Sequence, residues 1–164
     1  MNVNKIHSRA HIVAAAVVSL AFLSGCTFWG KKEKEPAVLV VNVLDRALYD
    51  DCHIPGSIQV DFGSIMDAAK KWSKSTKVVI YCANYACSAS ASAVRGLRND
   101  GYDACEYAAG TAGWYQAGYP VVGQAQSPYL QQANEPHLES ASDLPVISTQ
   151  ELKELLDKNG VQEK

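Results

Sequence analysis

Two cysteines, Cys82 and Cys87, flank a short loop in the stretch VVIYCANYACSASASAV, residues 78–94. A β-branched run ends just before Cys82, and small residues typical of a helix start follow Cys87. In α/β folds, this junction of a strand end and a helix N-terminus is where reactive groups lie. Unpaired backbone N–H groups and the helix dipole stabilise a thiolate there and lower the thiol pKa below about 8.5. The pattern predicts a reactive thiol at Cys82; the alternative is that both cysteines are small apolar residues filling a turn.

No lysine, arginine or histidine lies within residues 82–94, so activation of Cys82 would rest on backbone amides, with Ser88 available to cap the helix. Two cysteines five residues apart in a tight loop can form a disulfide if their Cα atoms come within about 7 Å. Cys87 would then discharge a persulfide or sulfenic acid on Cys82 as a disulfide. The alternative is that Cys87 is a small buried residue.

The other cysteines of the predicted domain carry weaker signals. Cys105 lies in a short predicted strand, where a thiol in the core is expected. Cys52 lies beside His53 near a Pro-Gly turn, and we expect it near the surface, with His53 hydrogen-bonded within the turn. No second Cys or His pair at zinc spacing is present, so we expect neither a metal nor a cofactor.

The first 26 residues have the features of a bacterial lipoprotein leader. Lys5 and Arg9 precede the apolar run IVAAAVVSLAFL, residues 12–23, which is shorter than the roughly 20 residues of a membrane-spanning helix. The run ends in LSGC, a lipobox in which Cys26 would become acylated and N-terminal; the alternative is an ordinary secretory signal. Thr27 in place of aspartate favours the outer membrane. We therefore expect a lipid anchor at Cys26 and a domain facing the periplasm, where disulfides persist.

The composition fits one globular domain with short extensions. The chain has 164 residues, 48% of them hydrophobic and 20% charged, with a formal net charge of −2. Because no basic cluster occurs, nucleic-acid binding is not expected. Residues 27–36, TFWGKKEKEP, read as a charged tether ahead of a domain over residues 37–123.

Strand and helix signals alternate along this domain. Apolar runs predict buried strands at residues 37–43, 58–60, 77–82 and 104–107, and helical patterns follow at 64–72, 88–99 and 111–117. This alternation predicts an α/β fold with a mainly parallel sheet flanked by helices. Residues 124–142 read as a polar linker. In residues 143–164, an amphipathic helix follows Ser148 and ends at Gly160, with Leu152, Leu155 and Leu156 on its apolar face.

Three motifs resemble the rhodanese-like family. HIPGS at residues 53–57 is similar to that family's HIPGA segment, and YCANYACS at 81–88 to its YCxxGxRS active-site loop. AGTAGWYQAGYPV at 109–121 is similar to its GGxxxWxxxGxPV ending. The resemblance implies a sulfane-sulfur transferase that carries a persulfide on Cys82. It also implies a cradle formed by the backbone amides around it, at Ala83, Asn84, Tyr85, Ala86 and Ser88. The partners would be a small sulfur donor and a thiol acceptor.

The departures from the family pattern shape the expected chemistry. The family's loop arginine falls on Cys87, and its D-x-R pair falls on Asn42 and Leu44. The related phosphatases have a loop one residue longer that ends in arginine, which would hold a phosphate bidentately. Phosphatase activity is therefore not expected, and the missing arginine weakens the case for thiosulfate as donor. Two alternatives stay open: a thiol-disulfide enzyme that uses Cys82 with Cys87, and a non-catalytic interaction module.

The C-terminal segment VISTQELKELLDKNG, residues 146–160, is similar to the strand and helix that precede the first core strand in family members. A circular permutation would place this helix where the family's N-terminal helix docks, since chain ends are often close together. The alternative is a second domain cut short, with its single helix left undocked.

Overall fold

The structure is a computed structural model, and it describes residues 37–136 and 143–160. The predicted leader with Cys26 and the tether at residues 27–36 lie outside the described residues. Within those two ranges, no helix combines the length and the apolar character that crossing a bilayer requires.

Four parallel strands form one sheet and confirm the predicted α/β class. They are β1 (Val38–Asn42), β2 (Ile58–Gln59), β3 (Lys77–Tyr81) and β4 (Ala104–Tyr107). The strands lie in the order β2-β1-β3-β4, and every pair is parallel. Strands β1, β3 and β4 are almost wholly buried, as expected for a parallel sheet covered on both faces.

Five α-helices accompany the strands in the described chain. They are α1 (Arg46–Asp51), α2 (Ile65–Ala69), α3 (Ala89–Asn99), α4 (Gly110–Gln116) and α5 (Thr149–Lys158). Helix α1 was not predicted, although Asp45 caps it by accepting a hydrogen bond from the backbone N–H of Leu48 at 2.9 Å. Helix α2 ends at Ala69, short of the expected end near Trp72.

The two faces of the sheet have separate cores, because alternate residues of each strand point to opposite faces. On one face, Val78, Ile80 and Cys82 pack with Ile65 of α2 and Leu97 of α3. On the other face, residues of β1, β3 and β4 pack with α4 and α5; the helix residues there are Trp114, Leu152 and Leu156. Cys82 therefore lies on the face of the sheet that α3 covers.

The first part of the predicted linker is folded onto the domain. Residues Pro128–Gln131 form a 3-10 helix, and Leu130 is fully buried. The side chain of Gln116 on α4 donates hydrogen bonds to the carbonyl oxygens of Leu130, at 2.9 Å, and Gln132, at 2.8 Å. The expectation of a plain linker thus has to be corrected for these residues, and residues 137–142 lie outside the described chain.

The C-terminal segment extends the sheet beyond β4. Val146 pairs with Glu106 in a parallel bridge: the Glu106 N–H donates to Pro145 at 2.9 Å, and the Ile147 N–H donates to Glu106 at 2.8 Å. Helix α5 follows, with the capping box that Ser148 and Glu151 form. Its leucines Leu152 and Leu156 are buried against the sheet.

Candidate active site

The candidate site lies in the loop between β3 and α3. Its position is fixed by α4, because the backbone N–H groups of Thr111 and Ala112 donate to the carbonyl oxygens of Cys82 and Ala83, each at 2.9 Å. Gly110, at φ 63°, allows this contact. A Cβ atom on that residue would lie 2.6 Å from the carbonyl oxygen of Cys82, so only glycine fits the observed backbone.

Cys82 directly follows β3 and is fully buried. Its Sγ lies 3.2 Å from the Oγ of Ser90 and 3.2 Å from the carbonyl oxygen of Cys87. A hydrogen bond to the Cys87 thiol and the burial of Cys82 raise the pKa of the Cys82 thiol above its ordinary value. Cys82 is therefore the protonated member of the cysteine pair.

Cys87 is only half-buried and has the opposite electrostatic environment. A hydrogen bond from the Cys82 thiol lowers the pKa of Cys87 to about 6, and the backbone amides of Ala89 and Ala83 add to this effect. The loop sequence predicts a lowered pKa for the Cys82 thiol, whereas in the structure the pKa of Cys82 is raised and that of Cys87 is lowered. The physical reason is first the hydrogen bond between the two cysteines, then the burial of Cys82 and the amides of Ala89 and Ala83 that face Cys87.

Two of the five loop amides predicted to cradle a persulfide, those of Tyr85 and Ala86, have partners within the chain, and so does the neighbouring Cys87 amide. The Tyr85 N–H donates to Oδ1 of Asn134 at 3.0 Å. The Ala86 N–H donates to the side-chain oxygen of Asn84. The Cys87 N–H donates to the backbone carbonyl oxygen of Asn84. These three groups hold the loop in shape rather than offering free donors to a ligand.

Two further features of the loop differ from expectation. Ser88 precedes α3, but its exposed side chain forms no capping hydrogen bond. Asn134, which lies in the predicted linker, also donates to the carbonyl oxygen of Ala109 at 2.8 Å. It therefore ties the active-site loop to the turn before α4, a role that no local pattern indicates.

A buried carboxyl group, Glu106 of β4, completes the site. Ser90 in the first turn of α3 donates a hydrogen bond to its Oε1 at 2.6 Å. Glu106 is only 5% exposed. Neither Ser90 nor Glu106 was predicted from the sequence. The signal that could have found Glu106 is an acidic residue inside a strand predicted to be buried, where an unpaired charge is costly.

Comparison with known proteins agrees with this geometry. The family model of the rhodanese-like domain matches residues 28–117. The chain belongs to the rhodanese-like family. A search of curated proteins finds no match.

Several solved structures are similar to this rhodanese-like domain, among them structures from Anabaena sp. and Bacillus halodurans. The solution structure of the rhodanese-like domain of the Alr3790 protein from Anabaena sp. is 29% identical, with a TM-score of 0.50 over 66% of this chain and 83% of that one. A crystal structure of the Alr3790 protein is 32% identical, with a TM-score of 0.50 over 54% of this chain and 70% of that one. The BH2092 protein from Bacillus halodurans is 29% identical, with a TM-score of 0.51; the match covers 54% of this chain and 66% of that protein, just under two thirds.

The remaining cysteines of the rhodanese-like domain lie in the core. Cys52 is fully buried rather than near the surface as expected, and burial raises its pKa to about 11. Cys105 is buried, as predicted. All four cysteines of the described chain are free thiols. Over the described ranges, no three His, Cys, Asp or Glu side chains group closely enough to hold a metal ion.

The lowered pKa of Cys87 predicts a distinctive pH dependence of its alkylation. In the reduced protein, the rate of reaction with iodoacetamide should rise with a midpoint near pH 6, the pKa of this thiol. In Cys82→Ala, the hydrogen bond that contributes most is lost, so the midpoint should move up toward the ordinary 9.0. Peptide mass spectrometry after timed alkylation at each pH measures both profiles. An unchanged midpoint in Cys82→Ala would contradict the coupling of the two thiols.

Proposed function

We propose that this domain is a sulfurtransferase that carries sulfane sulfur as a persulfide on Cys82. The observation that carries the proposal is the placement of Cys82 at the carboxyl end of β3 in a rhodanese-like domain, with Ser90 and Cys87 in contact with its sulfur. This is the position at which the family's active-site motif has its cysteine.

The reaction is a nucleophilic transfer of one sulfur atom. The Cys82 thiolate attacks the terminal sulfur of a donor R–S–SH, the S–S bond of the donor breaks, and R–S⁻ leaves. Cys82 then holds the extra sulfur as a persulfide, S–SH. The thiolate of an acceptor attacks the terminal sulfur, the S–S bond breaks, and Cys82 leaves as a thiolate. No net oxidation occurs in either step.

The charge of the site favours a donor with little negative charge. The Cys87 thiolate and the carboxyl group of Glu106 lie around Cys82, and Cys87 occupies the position of the family's loop arginine. A dianion such as thiosulfate would meet repulsion there without the bidentate donor that arginine provides. A small organic persulfide, which carries at most one negative charge on its sulfur atoms, is therefore the expected donor class.

Mass spectrometry of the reduced protein tests this function. The protein is treated with cysteine persulfide, with polysulfide or with thiosulfate, and its peptides are then compared. The expected result is a gain of one sulfur atom on the Cys82 peptide with cysteine persulfide, and less with the two dianions, polysulfide and thiosulfate. An unmodified Cys82 with every donor would refute the proposal and favour a non-catalytic role for the fold.

A second candidate, thiol-disulfide exchange, is favoured by one observation: Cys87 is half-buried and has a pKa of about 6. In that reaction the Cys87 thiolate would attack a substrate disulfide, and Cys82 would resolve the mixed disulfide. Treatment with glutathione disulfide distinguishes the two functions. Loss of two hydrogens in a peptide pair that joins Cys82 to Cys87 would support exchange, and unchanged thiols would refute it.

We also propose that the domain works in the cell envelope, anchored through an acylated Cys26. The support is the sequence of residues 5–26 alone, with its basic start, apolar run and lipobox. Membrane fractionation of cells that express the chain and its Cys26→Ala variant tests this proposal. The variant should leave the membrane fraction, and its retention there would contradict a lipid anchor.

A further inference from the structure

A line of three side chains connects the buried thiol to a buried carboxyl group. Cys82 Sγ lies 3.2 Å from Ser90 Oγ, and Ser90 Oγ lies 2.6 Å from Glu106 Oε1. All three residues are buried, and they come from the end of β3, the first turn of α3 and the middle of β4. A carboxyl group in such a place requires a hydrogen-bonding partner, and Ser90 provides it.

The direction of these hydrogen bonds follows from the number of protons. A serine hydroxyl has one proton to donate, and here that proton goes to Glu106 Oε1. Ser90 Oγ can then only accept from Cys82; the carbonyl oxygen and the sulfur of Cys87 are other acceptors within reach of the single thiol proton. When the thiol proton turns from Cys87 to Ser90, the line is polarised from the thiol toward Glu106.

We propose that Glu106 is a positioning residue for the Cys82 thiol and takes the thiol proton through Ser90. The Cys82 proton passes to Ser90 Oγ while the Ser90 proton passes to Glu106 Oε1. The thiol becomes a thiolate and the carboxylate becomes a carboxylic acid. The net charge of the buried site stays the same, so no additional anion has to form out of contact with water. This relay deepens the proposed sulfur transfer, and its role in catalysis rests on that function.

The relay explains how a thiol with a raised pKa can become a nucleophile without the family's loop arginine. Two other titratable groups interact with the pair: Cys87 with both Cys82 and Glu106, and Tyr129 with Cys82. The basic residues of α3 are engaged elsewhere. Arg95 pairs with Asp143, and Arg98 donates to the carbonyl oxygen of Ala104. The segment beyond β4 meets Glu106 through backbone groups of Pro145 and Ile147.

The test measures the pH dependence of Cys82 alkylation in a Cys87→Ser background, which removes the neighbouring thiol. Iodoacetamide reacts with Cys82 at pH 6 to 8, and peptide mass spectrometry gives the rate. With the relay intact, the proton stays inside the site, so the rate should change by less than about twofold over this range. With Glu106→Gln added, the proton must leave to water, and the rate should rise about tenfold per pH unit below the thiol pKa.

Two serine variants of α3 sharpen this test. Ser90→Ala keeps the carboxyl group but breaks the line, so its profile should match that of Glu106→Gln. Ser92→Ala, an exposed serine two residues along the same helix, should keep the flat profile. A tenfold rise per pH unit in the Cys87→Ser protein would by itself overturn the relay. A flat profile after Glu106→Gln is added would also overturn it. Because alkylation needs no sulfur donor, a failure of the relay is distinguishable from a failure of sulfur transfer.

Discussion

Replacing Cys82 with serine should reduce sulfur transfer from cysteine persulfide to a thiol acceptor by at least about a thousandfold. The expected loss is this large because the proposed reaction passes through a covalent persulfide, which a serine hydroxyl cannot form. Cys87→Ser should instead retain the persulfide on Cys82, since the serine variant lacks the thiol that could discharge it as a disulfide. Steady-state release of sulfide or transfer to a thiol dye measures the rate, and mass spectrometry of the Cys82 peptide measures the intermediate.

A matched control is Cys105→Ala, which removes another buried thiol outside the loop. Its sulfur transfer should remain within about twofold of the parent, because Cys105 lies on the opposite face of the sheet. If Cys82→Ser kept its activity and Cys87→Ser lost it, Cys87 would be the sulfur carrier. That outcome would agree with its lowered pKa and would overturn the proposed role of Cys82.

Truncating both buried leucines of α5 should abolish cooperative unfolding. Leu152 is fully buried and Leu156 is 3% exposed, and both pack in the core beside β4. Each change to alanine costs about 2–5 kcal/mol in comparable cores, while a whole domain has a free energy of unfolding of about 5–15 kcal/mol. The double variant is therefore expected to unfold without a clear transition in a thermal melt followed by circular dichroism.

The control for this experiment is Glu154→Ala, an exposed position on the same helix. Alanine is a strong helix former, so the melting temperature of this variant should stay close to that of the parent. A double leucine variant that melted like the parent would show that α5 contributes little to the fold. We propose that this segment supplies the strand and helix that precede the first core strand in other family members, as a circular permutation would.

The strands were predictable because they are buried on both faces. Continuous β-branched and apolar runs mark such strands in any sequence, and β4 begins and ends at the predicted residues. Helix α1 escaped prediction because six residues give too short a pattern, although Asp45 at its start was a readable capping signal. Strand β2 was predicted at residues 58–60, after the Pro-Gly turn, but it has only two residues, too few for a sequence pattern to mark where it ends.

The site was predictable in position but not in its electrostatics. The Cys82 loop follows from a strand end and a helix start that are adjacent in sequence. The acidity of Cys87 depends instead on which sulfur is buried and which way the amides point, and both are tertiary properties. Glu106 accepts a hydrogen bond from Ser90, which lies 16 positions away in the sequence. Asn134 accepts one from Tyr85, which lies 49 positions away. Contacts of that separation leave no local pattern to read.

The bridge between Val146 and Glu106 also bears on self-association. The outer edge of β4 and the segment that covers it belong to one chain but are joined through residues 108–144. Because residues 108–144 join the two covalently, the covering segment has an effective concentration on the order of millimolar at the edge of β4. At micromolar protein concentrations, each molecule therefore covers its own edge. As the protein concentration nears that value, a neighbouring copy's segment competes for the same edge, and the molecules become prone to exchange their C-terminal helices as domain-swapped dimers.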